Sequence, residues 1–89
     1  MSRANTLSFV LRAKNRLKVM DALSKGKKIS SQIEKETGMY RAHVSRTIKE
    51  LQSHDLIVCI NPEDRAFKFY SLSKKGKLIL AEALKLLKS

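Results

Sequence analysis

Acidic residues are scarce in this chain. Eight Asp and Glu stand against nineteen Lys and Arg, a net charge of +11 on 89 residues with a pI near 10.2. So large an excess in so short a chain favours a polyanionic partner, nucleic acid above all, over a merely solvated lysine-rich surface. Cysteine is scarcer still. Cys59 stands alone, which excludes an internal disulfide and points to a reducing, cytoplasmic setting, nucleoid-associated if the partner is DNA. No apolar run approaches the roughly 18–20 residues of a membrane span, and the opening MSRANTLSFVLRAKNR is too interrupted by charge for a secretory leader. A Gly-rich phosphate loop, an H-E-x-x-H pair and a nucleophile elbow are all missing, so no catalytic residues and no cofactor are expected. Nor is a metal site. A lone strand cysteine is most simply a small buried hydrophobe, and His43 and His54, eleven residues apart on one helix, are separated by ~16 Å.

What is present is a small foldable chain, 43% hydrophobic, expected to form one domain over 1–89. It is organised around Ser31 to Leu51, SQIEKETGMYRAHVSRTIKEL. This stretch predicts a short helix, a turn at Gly38 and a longer helix, the helix-turn-helix pattern. Ser31 and Glu34 have capping-box spacing, and Gly38 can close the first helix in a left-handed conformation. Val44, Ile48 and Leu51 recur at i, i+4 and i+7 as a buried stripe. Ala42, Arg46, Lys49 and Ser53 then point away from the core, with His43 and Ser45 on its shoulders. Such a face suits a major groove.

Residues 7–24 read as a first helix with two apolar faces, ended at Ser24-Lys25-Gly26, and Lys27-Lys28-Ile29 as a brief extended segment. After the second helix of the motif, spanning 40–54, Leu56 to Ile60 and Ala66 to Leu72 predict two strands joined by a turn at 61–66, where Pro62 cannot sit inside a ladder. Ser73 is the expected N-cap of a last helix over 74–88 that runs on to the end of the chain. The expected class is therefore mainly α with a β-hairpin wing (α+β), in the order helix, short strand, helix, helix, strand, strand, helix.

That order, with ISSQIEKETGMYRAHVSRTIKEL, HDLIVCI and FYSLSKKGK in sequence, resembles the winged-helix transcriptional regulators of the MarR and ArsR type, in their small single-domain form. Two positions depart from the pattern. Glu34 stands where such motifs carry Ala, and Tyr40 where Ser or Thr caps the recognition helix. The resemblance implies a double-stranded DNA partner and permits a small-molecule effector at a dimer interface.

Arg41, His43, Ser45 and Arg46 are the candidates for base edges or adjacent phosphates, joined by Tyr40 at the helix start. Thr47 and Lys49 suit phosphate better, and Gln32 could touch backbone from the supporting helix. Arg65 and Lys68 are the wing's candidates for minor groove or backbone, with Glu63 and Asp64 unfavourable beside them. The last helix is apolar around most of its circumference, and the first has surplus Leu7, Phe9 and Leu11. A C2 homodimer through these helices, with Leu80, Leu84 and Leu87 on the other side, would bury both surpluses. The resulting expectation is a homodimeric, sequence-specific DNA-binding regulator. The alternatives are a winged helix used for protein contact in a transcription or replication assembly, and a nonspecific nucleoid or RNA-binding protein.

Overall fold

A computed structural model describes residues 3–88. Among them run α1 (Arg3–Leu11), α2 (Lys14–Ser24), β1 (Lys28–Ile29), α3 (Ser30–Thr37), α4 (Arg41–Ser53), β2 (Ile57–Cys59), β3 (Phe69–Leu72) and α5 (Lys74–Lys88). The structure is mainly helical with a small antiparallel sheet in the order β1-β3-β2, as a winged helix requires. Lys28 pairs with Tyr70 on one side of β3, and Cys59 with Tyr70 on the other. Ser89, to which the last helix was expected to run, lies outside the described residues.

The helix expected over 7–24 is two helices. Ala13 is extended, at φ −135° and ψ 116°, and the chain turns there. One straight helix with apolar residues on two faces cannot bury both against a single layer. The break lets α1 pack on α5 and α2, while α2 packs on α3, α4 and β3. The core that results joins Val10, Val19, Met20 and Leu23 to Ile33, Val44, Ile48 and Leu51, with Leu56, Leu72, Ile79 and Leu80 from the second half.

The start of α3 also differs from the reading. Its N-cap is Ile29, and the Gln32 side chain accepts the Ile29 N–H at 3.0 Å. This is half of a capping box, because Ile29 has no side-chain acceptor to return the bond. Gly38 ends α3 as expected, left-handed at φ 72°, and Met39 buries itself in the turn. At the far end of α4, Asp55 is left-handed (φ 58°). Its N–H reaches the Gln52 carbonyl and that of Leu56 reaches Leu51, both at 3.0 Å. That is a Schellman closure with Asp in the place usually taken by Gly.

Ser73 is the N-cap of α5: its Oγ accepts the Gly76 N–H at 2.9 Å and donates to the Asp55 carbonyl at 2.6 Å. Gly76 is required by packing. A Cβ there would lie 2.0 Å from the Leu56 carbonyl oxygen, so only glycine lets α5 cross the entry to β2 this closely.

Both wing strands are shorter than expected, and the connecting segment extends from Ile60 to Lys68. Side chains take the backbone groups that would otherwise continue the ladder. Asp64 Oδ1 accepts the Ala66 and Phe67 N–H groups, each at 2.8 Å. Asn61 accepts the Phe69 N–H through Oδ1 and donates Nδ2 to the Phe67 carbonyl, each at 2.7 Å.

Candidate nucleic-acid interface

Val44, Thr47, Ile48 and Leu51 bury one side of α4, which turns Arg41, Ala42, His43, Ser45, Arg46, Lys49, Gln52 and Ser53 outward. This outward face carries two arginines and a lysine but no acid. The one carboxylate of the helix, Glu50, is held by Arg16, whose Nε and Nη2 donate to its two oxygens at 3.3 Å each. Elsewhere Glu36 pairs with Lys25 and Lys28, and Glu82 with Arg3. The Lys25 hydrogen bond, followed by the charges of both lysines, holds the Glu36 carboxyl below its ordinary value. With Glu50 turned to Arg16, and Glu36 and Glu82 paired elsewhere, Glu34 of α3 is the one acid among these ion pairs that stands beside the cationic face.

No side chain caps the start of α4. Tyr40 occupies the N-cap position 79% exposed, edge-on to His43 with ring centroids 6.0 Å apart. The first N–H groups of the helix stay open to an anion. Glu34, half-buried on α3, comes within 3.9 Å of Arg41 Nε, a weak tether on a side chain that is otherwise solvated.

A groove of about 450 Å³ separates α4 from the wing. Arg41, Ser45, Lys49 and Gln52 line one wall, Lys68 and Tyr70 the other, and Ser30 and Glu34 one end. The structure thus brings together Arg41, Ser45, Lys49 and Lys68 from two distant parts of the chain. Gln52 and Ser30 were missed by the sequence reading. Gln52 follows Lys49 by three and Ser45 by seven, so helical spacing alone would have found it. Partial burial, and secondarily Cys59, raises the Tyr70 phenol above its ordinary value.

One of the two acids that had looked unfavourable, Asp64, orders the wing. The Phe67 and then the Ala66 N–H hold the Asp64 carboxyl below its ordinary value. That carboxylate is therefore turned into its own loop, while Arg65 and Lys68 stay exposed.

One expected DNA contact does not hold as read. Thr47 is only 3% exposed and belongs to the core, because it lies three residues after Val44 on the buried stripe. Gln32 is exposed, with its carbonyl oxygen on the Ile29 N–H at the start of α3, a bond that does not use its amide nitrogen. On the expected dimer surface, Leu80 is buried within the chain at 4% exposure, whereas Leu11, Leu84 and Leu87 are exposed. Leu7 packs partly on the core.

Phe9 has a different use. The Arg16 guanidinium lies 3.7 Å from its ring centroid, and the His54 imidazole stacks at 3.6 Å with 14° between planes. Two planar groups that close cannot share one face, so Phe9 is sandwiched between them. Arg16 Nη1 also donates to the Phe9 carbonyl at 2.6 Å. The sandwich ties the C-terminal end of α4 to the α1–α2 corner and fixes how the helix projects.

No family model and no curated protein matches this sequence. Solved structures do match, and they are MarR, ArsR and related winged-helix transcriptional regulators. One is the Bordetella bronchiseptica protein BpsR, whose DNA binding is regulated by 6-hydroxynicotinic acid (22% identity, TM-score 0.79, 85% of this chain and 59% of that one). Another is the homodimeric winged helix-turn-helix DNA-binding domain of Mb0332 from Mycobacterium bovis, a possible ArsR-family regulator (18%, 0.78, 97% and 79%). A third is the transcriptional repressor CouR bound to a 23-mer DNA duplex (25%, 0.73, 82% and 53%). The chain spans little more than half the length of BpsR and CouR. These matches are described as transcription regulators, and they share the winged helix-turn-helix fold with this chain.

Proposed function

We propose that this chain is a sequence-specific double-stranded DNA-binding transcriptional regulator that acts as a homodimer, with α4 in the major groove and the wing near the backbone or minor groove. The observation that carries the reading is the outward face of α4, cationic and free of acid, beside a groove whose opposite wall supplies Lys68. Lys and Arg release counterions from the phosphates and supply most of the affinity. Arg41, His43, Ser45 and Arg46, with Tyr40 at the helix start, supply the choice of sequence, and Lys49 and Arg65 add phosphate contacts. Exposed Leu11, Leu78, Leu84 and Leu87 on α1 and α5 support pairing through the terminal helices of a single winged-helix domain over 1–89. A C2 pair would present two α4 helices to a pseudo-palindromic site. A small effector at the interface of the two copies is compatible with this reading, and BpsR is a neighbour whose DNA binding a small molecule regulates.

The test is selection of bound genomic fragments, then titration of the best site and a scrambled duplex across a salt series. The regulator reading expects a palindrome bound about 10³-fold or more tightly than the scramble, a preference erased by Arg46→Ala. Equal binding of both duplexes with one steep salt slope would identify an electrostatic, sequence-indifferent binder instead. Sedimentation of the wild type and of Leu87→Asp tests the dimer, which the substitution should split.

A further inference from the structure

The wing carries a side chain that the reading above leaves unused. Phe67 is 60% exposed, although its backbone is among the most tightly held in the loop. Its N–H is bound by Asp64 and its carbonyl by Asn61. Most of the ring is left to water, so it is free to meet a partner, and an aromatic side chain is the largest apolar group the wing could offer one.

Its surroundings identify the partner. Arg65 and Lys68 flank it, and the three residues border one cleft with Ser30 and Ser31 at the start of α3. Lys68 also lines the groove faced by Arg41, Ser45 and Lys49. Phe67 does not line that groove, but its own cleft adjoins it through the shared Ser30, Lys68 and Tyr70, and two cations bracket it in the sequence. A phosphate-lined minor groove offers both things this arrangement fits: anions for the cations and stacked bases for the ring.

We infer that Phe67 is a minor-groove wedge, inserted by the wing at a flexible pyrimidine–purine step beside the major-groove site, with Arg65 and Lys68 on the flanking phosphates. This rests on the DNA-binding reading and adds a mechanical element to it. Unstacking is least costly at TA and CA/TG steps, so the wedge would select sequence at positions that α4 does not touch. Rigid mounting matters here, because a loop already ordered by Asn61 and Asp64 loses little further freedom on insertion.

The experiment uses the whole chain with its selected duplex, 2-aminopurine placed in turn at each step flanking the α4 site, and end-labelled duplexes to read bending. The expected result is a rise in 2-aminopurine fluorescence at one step in each half-site and a bend of roughly 20–90°. Phe67→Ala should abolish both and weaken binding roughly tenfold, the scale of one lost base–aromatic contact. It should keep the Arg46-dependent sequence preference and the wild-type melting temperature. Phe67→Leu, still an apolar wedge, should retain most of the bend. Specific binding by the wild type with no unstacking at any step, or unstacking that survives Phe67→Ala, would overturn the wedge and leave the regulator reading standing. Failure of the wild type to bind any duplex would overturn both.

Discussion

Replacing Gly76 by Ala sets two effects of opposite sign against each other. Alanine is the better helix former by about 1 kcal/mol, so a helix considered in isolation gains from the change. The structure predicts a loss. The new Cβ would stand 2.0 Å from the Leu56 oxygen, 3.0 Å from its carbon and 3.3 Å from Leu72 Cδ2, where ordinary contact begins at 3.4 Å. The first neighbour is backbone, so no side-chain rotation relieves it. The same oxygen accepts the Ser73 N–H at 3.0 Å, and moving it away weakens the cap of α5. Overpacking of this kind costs about 1–3 kcal/mol or more, and the loosened hydrogen bond about 1 kcal/mol. With the propensity gain subtracted, the net loss is roughly 1–3 kcal/mol, or a melting point lower by on the order of 10 °C for a domain of this size. Thermal melts followed by circular dichroism, with urea midpoints, measure it. Ala81→Gly, at an exposed position of the same helix, calibrates the propensity effect and should cost about 1 kcal/mol. A Gly76→Ala protein as stable as the wild type would refute the packing argument.

Three further outcomes are expected. Asp55→Val should destabilise the chain by roughly 1–2 kcal/mol in urea titrations, since a β-branched residue resists the left-handed conformation that closes α4, whereas Asp55→Gly should not. Arg16→Ala should cost roughly 2 kcal/mol, a modest figure because Glu50 is partly solvated. It should also shift the His54 ring resonances in NMR spectra as the stack on Phe9 loosens; unchanged His54 shifts would argue against the sandwich. The third concerns pH. Because the Asp64 carboxyl is held below its ordinary value of 3.8, its contribution to wing order is fully present above that value and is lost as pH falls through the lower one. The Ala66 and Phe67 amide shifts should therefore titrate below 3.8; a midpoint at or above it would contradict the loop geometry.

Much of the candidate site was legible in one dimension because a helix converts spacing into direction. The i, i+4, i+7 stripe of Val44, Ile48 and Leu51 is enough to place Arg46, Lys49 and Ser45 outside, and Gly38 marks the turn because few other residues tolerate its backbone. At the stripe's edge, residue type masked the same logic. Thr47 lies at i+3 from Val44 and four before Leu51, so the spacing that placed the stripe also admits it; its polar hydroxyl, read as a phosphate ligand, hid that.

The sequence by itself determined the order of elements, the positive charge and the cationic face of α4, all consequences of local periodicity, turn chemistry and composition. Only the tertiary structure decided which residues meet. It broke the first helix at Ala13, buried Leu80, took Phe9 from the surface into a sandwich with Arg16 and His54, and turned Asp64 from an unwanted charge into the clamp of the wing. Each of these depends on groups far apart in the chain arriving within a few ångströms of one another. Local pattern cannot specify that, because close packing is a property of the assembled layers.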